Sequence, residues 1–221
     1  MIYKSEYCYV PEEALIREGS NRFDAEKLAE QLANIELHKI VKPPVKGNLS
    51  WPLDTNTGTH DITQRPSFVL NEHSKLEIVE YPMCDEHNIP YGNLYCAGID
   101  GIDGDASSSA STSDVSDFCI VIKKRQFGLS EPKYVAIYKD RPRDVRTAYD
   151  NALKLLQWYN CKAVVEATRV GIITYFKEKK ALNYLFKRPR ATLSNPSMQN
   201  VKQYGALATP AVLDHQLELI E

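Results

Sequence analysis

The stretch Asn93-Leu94-Tyr95-Cys96-Ala97-Gly98-Ile99-Asp100 decides the fold predicted for this chain. It is short and mostly apolar, and it ends in an aspartate before a run rich in Gly, Ser and Asp. An apolar run of this length between turn residues predicts a strand buried on both faces. A carboxylate at the C-terminal end of such a strand lies at the rim of a sheet, where α/β proteins place their chemistry. Asp100 is therefore the first candidate functional residue.

The residues that follow predict three meandering strands and a helical crossover. Residues 118–123 and 134–139 are apolar, and the connection between them contains Gly128 and Pro132, which favours an antiparallel hairpin. Residues 145–159 have apolar side chains at helical spacing, with Asp144 as N-cap. A fourth strand, residues 162–165, ends at Glu166 and is expected to run parallel to the first strand after the crossover.

Two carboxylates then meet at one rim if the fourth strand pairs beside the first. Asp100 and Glu166 would repel each other unless a cation lay between them. Hard oxygen ligands suit Mg²⁺ or Mn²⁺. One metal ion can activate water while another stabilises the leaving oxygen of a phosphodiester. The pair predicts metal-dependent cleavage of a nucleic-acid backbone, with Asp100 bridging the metals.

The remaining C-terminal pattern predicts a mobile loop and three further elements. Residues 106–116 are almost all Ser, Ala, Thr and Asp, a composition that cannot bury a core. Ile172, Ile173, Tyr175 and Phe176 share a helical face, and residues 183–186 are a candidate fifth strand. Thr209-Pro210 is a helix start before an apolar stripe.

The N-terminal part has a different character. Residues 9–15 predict a helix start, and a second helix follows Asp24 with Leu28, Leu32 and Ile35 on one face. Residues 43–92 are punctuated by Pro, Gly and Asn and are interpreted as a linker with a small β appendage. Within it, a hairpin is expected over residues 68–81, turning at residues 71–74.

Composition limits the partners. Of 221 residues 43% are hydrophobic and 25% charged, and the net charge of −2 excludes a generally basic nucleic-acid binder. Residues 160–190 locally reverse this balance with eight Lys and Arg. This run is either a solvated helix face or a set of phosphate contacts. The DNA-contact candidates are Arg169, Lys177, Lys180, Lys187 and Arg188.

Cysteine usage and hydropathy indicate the compartment. The five cysteines are odd in number and contain no CxxC, which argues against a disulfide framework and a zinc knuckle. The N-terminus lacks an apolar signal region, and no run reaches membrane-spanning length. A cytosolic protein that is neither secreted nor membrane-bound is expected.

The strand order and both acid positions resemble the ribonuclease H-like nuclease superfamily. Within it, the segment Tyr7-Cys8-Tyr9-Val10-Pro11-Glu12-Glu13-Ala14-Leu15 is similar to the one that closes the ATPase domain in large terminase subunits of tailed bacteriophages. Cys96-Ala97-Gly98-Ile99-Asp100 and Val164-Val165-Glu166-Ala167-Thr168 resemble that family's nuclease core, as does Ser116-Asp117-Phe118. Thr209-Pro210 before an apolar helix also fits.

The resemblance implies an α/β fold with a ribonuclease H-like mixed sheet, a three-strand antiparallel meander plus parallel strands flanked by helices. It implies a helical end of a motor domain over residues 1–42, the linker over 43–92, and a nuclease domain over 93–221, truncated at its C-terminus. The implied activity is Mg²⁺- or Mn²⁺-dependent cutting of concatemeric double-stranded viral DNA in the host cytoplasm. The implied partners are that DNA, the portal and the small terminase subunit.

The chain also departs from the family. No Gly-x-x-x-x-Gly-Lys-Ser/Thr occurs, and the family's third metal-binding acid lies beyond Glu221. Asp214 falls too early to replace it and is interpreted as solvated, while Asp103 is a candidate for a water-mediated metal contact. The run from Gly101 to Asp105 lacks the later glutamate of a calcium loop.

Two alternatives stay open. The chain is a non-catalytic DNA-binding or packaging module, or another nuclease of the same superfamily, such as a junction resolvase or a proofreading exonuclease.

Overall fold

The computed structural model describes residues 25–38, 43–102, 116–166, 170–187 and 204–206. The chain divides into two compact units, Met1–Pro43 and Pro44–Glu221. The described part of the first unit is helix α1, Ala25–His38, which confirms the second predicted helix. The predicted helix start at residues 9–15 and the N-cap candidate Asp24 lie outside the described residues.

The second unit is built on a seven-stranded mixed sheet. In chain order its elements are β1 (Val45–Ser50), β2 (Leu53–Asp54), β3 (Thr59–His60), β4 (Ser67–Leu70), β5 (Leu76–Ile78), β6 (Tyr95–Asp100), β7 (Phe118–Lys124), β8 (Lys133–Asp140), α2 (Val145–Tyr159), β9 (Lys162–Val165), α3 (Val170–Glu178) and a 3₁₀ turn, Leu182–Tyr184. The strand order is β4-β1-β5-β8-β7-β6-β9, and β2 pairs separately with β3. Among the described strands of the large sheet, only β6 and β9 pair in parallel. The predicted mixed α/β class and the antiparallel meander β6-β7-β8 are confirmed.

The hairpin predicted over residues 68–81 is wrong. β4 and β5 do not pair with each other, because β1 lies between them and pairs antiparallel with both. The turn at residues 71–74 does form, but its polar groups bind β1: the Asn71 N–H donates to the Lys46 carbonyl and the Ser74 hydroxyl to the Gly47 carbonyl. Gly47 admits this packing, since a Cβ there would overlap the Phe68 ring. Residues 43–92 thus contribute three strands to the main sheet.

Helix α2 has the predicted bounds and covers one face of the sheet. The Asp144 carboxylate accepts from the Arg146 N–H at 2.8 Å, which is the expected N-cap contact. Its rings meet the sheet: Tyr159 lies 5.0 Å from Tyr95, centroid to centroid, and Tyr149 lies 6.0 Å from Phe118. We call this covered side the inner face.

The opposite side, here called the open face, corrects the prediction that β6 is buried on both faces. Along β6, Tyr95, Ala97 and Ile99 are buried, whereas Gly98 and Asp100 are exposed. Side chains of a strand alternate between the two faces of a sheet, so one half of this apolar run faces α2 and the other half does not. The sequence of the strand is apolar on both faces up to Asp100, so it does not show which face is covered.

The C-terminal elements agree with the prediction in part. Helix α3 buries the four predicted residues, and Tyr175 packs 5.5 Å from Tyr149. The fifth strand predicted at residues 183–186 is wrong, because its first two residues lie in the 3₁₀ turn Leu182–Tyr184 and, within the segment, only Leu185 forms a bridge, which is parallel and joins it to Ala163. The predicted final helix lies outside the described residues, as do residues 106–115 of the predicted loop.

Candidate metal and nucleic-acid site

The register of β6 against β9 brings the two predicted acids together. Ile99 is paired with Val165, and the next residue on each strand is Asp100 and Glu166. Neighbouring strands lie about 4.8 Å apart, so the two backbones are close enough for both carboxylates to reach one cation. A parallel bridge from Glu166 to Ala206, and the 2.7 Å bond from the Ala206 N–H to the Val165 carbonyl, fix the end of β9.

Both acids face the open side of the sheet. Asp100 is two residues from the exposed Gly98, and Glu166 is two residues from the exposed Val164. Because the side-chain period of a strand is two, each acid shares its neighbour's face. The juxtaposition therefore follows from the parallel register and the pleat together.

Three rows of side chains cross the open face, as the pairing of β9, β6, β7 and β8 requires. Each row holds residues that lie side by side on neighbouring strands. The acidic row is Glu166, Asp100, Cys119 and Lys139; the apolar row is Val164, Gly98, Val121 and Ile137; the basic row is Lys162, Cys96, Lys123 and Tyr134.

A cavity of about 1030 Å³ occupies this face and ends at the acids. Its lining includes Asp100, Glu166 and Cys119 at one end and Lys123 and Tyr134 at the other. Gly98 lies in its floor, where an added Cβ would meet nothing within 4 Å. The glycine thus keeps the floor low between the two ends.

Cys119 lies beside Asp100 on the neighbouring strand. Burial raises the pKa of its thiol, and the negative charge of Asp100 raises it further, while Lys139 acts in the opposite direction. The thiolate is the reactive form of cysteine, so a raised pKa disfavours the reactive form. The two carboxylates are therefore stronger candidates for chemistry at this rim than the thiol.

Asp117 is interpreted from the sequence as a strand-start residue rather than a ligand. It immediately precedes β7, and its carboxylate lies 3.4 Å from the Lys139 ammonium. An ion pair with a lysine competes with a metal ion for the same oxygens. This ion pair favours the strand-start interpretation.

The donor set at the rim fits a hard divalent cation in type but is small. Within the described ranges, no group of three or more His, Cys, Asp or Glu side chains is close enough to hold a metal ion. Mg²⁺ is commonly held by one or two carboxylates and completes its octahedron with water and substrate oxygens. Asp100 and Glu166 meet that minimum; Asp103 and Asp214 lie outside the described residues.

The three DNA-contact candidates among the described residues, Lys177, Lys180 and Lys187, do not form one surface. Lys177 lies in the last turn of α3, and Lys180 follows it with a positive φ of 56°. Helix α3 follows the Glu166 end of β9, and Leu185 then bridges Ala163 near the start of β9. The chain has therefore returned along β9 by the end of α3, so both lysines lie at the end of β9 that is remote from Glu166. Lys187, two residues after Leu185, lies level with Val165 and so nearer the acids. Arg169 and Arg188 lie outside the described residues.

The open-face residues Lys123, Lys139 and Tyr134 escaped prediction, and Lys162 was counted only as part of a basic run. Side chains of a strand alternate between the two faces of a sheet. Every second residue counted back from Asp100, and the residues opposite them on the hairpin of residues 118–139, could therefore have been assigned to the open face. That assignment requires the pairing register of the strands, and the turn at residues 126–132 alone does not fix the register between the second and third strands.

Comparison with known proteins found no matching model among protein families and no matching relative among curated proteins. Of the helices that the structure describes, none combines the length and apolarity that crossing a membrane requires.

Proposed function

We propose that this chain is the metal-dependent endonuclease part of a phage DNA-packaging terminase, with a ribonuclease H-like fold. The observation that carries the proposal is the placement of Asp100 and Glu166 on adjacent parallel strands, one residue past the last paired positions. Carboxylates brought this close by backbone register, and facing a cavity, favour a cation-binding role over a solvated one.

The strand order supports the ribonuclease H-like assignment. The strands β8, β7 and β6 are neighbours in the sheet and form an antiparallel meander. Strand β9 lies on the other side of β6, the first strand of the meander, and runs parallel to it. The resemblance implies this arrangement, with the first acid on the opening strand and the second on the parallel strand. The assignment to terminases, with double-stranded DNA, portal and small subunit as partners in the host cytoplasm, rests on the sequence resemblance.

Asp100 and Glu166 would hold Mg²⁺ or Mn²⁺ at the rim of the sheet. When bound, the metal supplies an activated water and a stabilised leaving oxygen for phosphodiester hydrolysis. The protein's own part is to fix both carboxylates on neighbouring strands and to face them toward the cavity.

A second candidate, a non-catalytic DNA-binding module, is favoured by one observation. The described residues bring only two acids together at the rim. Such a module would bind DNA in a salt-sensitive manner without cutting it.

Plasmid nicking in Mn²⁺ tests the proposal. Asp100→Asn and Glu166→Gln should each abolish nicking, while Glu72→Gln, on the exposed turn between β4 and β5, should nick like the parent. Circular dichroism should show all three folded. Nicking that persists in Asp100→Asn would remove the catalytic assignment. Salt-sensitive DNA binding without nicking by the parent chain would favour the module.

A further inference from the structure

The two ends of the open face differ in charge: carboxylates lie at one end of the strands and lysines at the other. A metal site alone does not require the lysines. The basic row and the acidic row are separated by four residues along β6, which is about 13 Å of extended strand. Lys162 and Lys123 flank Cys96 on neighbouring strands. Lys123 lines the cavity at this end, and Lys162 is exposed on β9 outside its lining. Neither lysine forms an ion pair with any residue in the part of the chain that the structure describes.

The surface between these ends is apolar, and no helix or strand among the described residues covers it. Val164 is 42% exposed, Tyr134 is 65% exposed, and Val79 at the cavity wall is 51% exposed. Contiguous apolar surface rimmed by charge marks a binding site more often than a solvated face. With Gly98 in the floor, the surface can accept a flat, thin group.

Tyr134 is prepared for stacking at the basic end. The Lys123 ammonium lies 5.8 Å from the centre of its ring, a distance at which a cation and an aromatic face attract each other. Cationic side chains that track a backbone, beside an aromatic ring that stacks on a base, are the elements of single-strand nucleic-acid binding. A duplex offers phosphates but no free base face.

We propose that the open face is a channel for a single nucleic-acid strand, which enters at Lys123, Lys162 and Tyr134 and leads over Gly98 to Asp100 and Glu166. The lysines bind phosphates, a base stacks on Tyr134, and the channel holds a few nucleotides beside the scissile phosphate. The proposal deepens the proposed function and rests on it for the destination of the strand, because the strand to be cut would arrive locally unpaired.

Fluorescence anisotropy with a labelled oligothymidine tests the channel apart from catalysis. The whole chain is titrated in EDTA, so that cleavage plays no part. The double variant Lys123→Gln/Lys162→Gln should bind about tenfold more weakly, and the slope of log affinity against log salt should fall by about 0.7 for each phosphate that the variant no longer binds. The matched control Lys75→Gln, an exposed lysine before β5, should bind like the parent.

Stacking is tested with a 2-aminopurine base in the same oligonucleotide. The parent and Tyr134→Phe should quench its fluorescence on binding, and Tyr134→Ala should lose the quenching together with about tenfold in affinity. A duplex of the same length should compete poorly.

The outcomes separate the channel from the nuclease. Failure of the parent chain to nick DNA, with retained channel binding in EDTA, would sink only the proposed function. Equal binding by the double-lysine variant and Lys75→Gln, unchanged quenching in Tyr134→Ala, or equal competition by duplex would each overturn the channel. A dimer in sedimentation that Val164→Glu dissociates would also overturn it, because the face would then be a protein interface.

Discussion

The two faces of one strand carry different information. On β6, the residues at odd positions, Tyr95, Ala97 and Ile99, are buried against the helix-covered core, while Gly98 and Asp100 are exposed. The inner face is aromatic and aliphatic, and each fully buried large side chain contributes about 1.5–3 kcal/mol to stability. The open face buries little, so its residues are not explained by folding. The inner face therefore specifies the fold, and the open face holds the residues of the proposed site.

The largest expected effect contrasts two isoleucines on neighbouring strands. Ile120 of β7 points to the inner face and is fully buried, whereas Ile137 of β8 lies in the apolar row of the open face. Ile120→Ala should cost about 2–5 kcal/mol of unfolding free energy, because it leaves a cavity. Ile137→Ala should cost about 1 kcal/mol or less. Denaturant titration measures the unfolding free energy of both variants. Equal losses would contradict the assignment of the two isoleucines to differently buried faces.

A smaller effect is expected at Glu80, whose carboxylate accepts from the Lys124 ammonium and pairs with Lys133. Lys124 is 4% exposed, so Glu80→Gln would remove the charge that compensates a buried cation. Hydrogen bonds to charged groups contribute about 1.5–3 kcal/mol, and a loss in this range is expected at pH 7. Lys46, which pairs with Glu77 near the surface at 3.2 Å, offers the contrast: Glu77→Gln should cost less than about 1 kcal/mol.

The same site has a pH signature with a defined sign. Burial raises the pKa of Glu80, but the hydrogen bonds and charges of Lys124 and Lys133 outweigh it and hold the pKa below its ordinary value of 4.5. A lowered folded-state pKa gives stability that is present above the unfolded value and lost as the pH falls through the folded one. As the pH falls below about 5, the unfolding free energy of Glu80→Gln should decrease less than that of the parent. A parallel decline of the two proteins would contradict the assignment.

The smallest effect is expected at the N-cap of α2. Asp144→Ala should cost about 1 kcal/mol, because the Arg146 N–H loses its acceptor. Asp144→Asn should recover most of that loss, since an amide oxygen also caps a helix. Thermal unfolding of the two variants checks this. An unchanged midpoint in Asp144→Ala would mean that inner-face packing alone holds α2.

Prediction from sequence succeeded where the signal is local. Helix α2, its cap at Asp144, strand β9 and helix α3 are each encoded within a few turns of chain, and the structure has them where periodicity placed them. The crossover from the meander through α2 also predicted that β6 and β9 would be parallel. This parallel pairing, together with its register and the pleat, juxtaposes Asp100 and Glu166.

Prediction failed where the partner is distant in the chain. The turn at residues 71–74 signals a hairpin, but β1, more than 20 residues upstream, supplies the strand that both β4 and β5 pair with. The rows of the open face were missed for the same reason, because Lys123, Cys96 and Lys162 become neighbours only through register. Residues 183–186 look like a strand by composition, yet Leu182–Tyr184 closes a 3₁₀ turn on the inner core.

Thermal unfolding with and without Mn²⁺ tests most directly that Asp100 and Glu166 jointly bind a divalent ion. A ligand at about 100 times its dissociation constant stabilises the folded state by about 2.7 kcal/mol, so Mn²⁺ should raise the midpoint of the parent chain. Asp100→Asn should melt no lower than the parent in EDTA, since one of two like charges is gone, and should show no rise with Mn²⁺. An equal Mn²⁺-dependent rise in the parent and in Asp100→Asn would contradict the account.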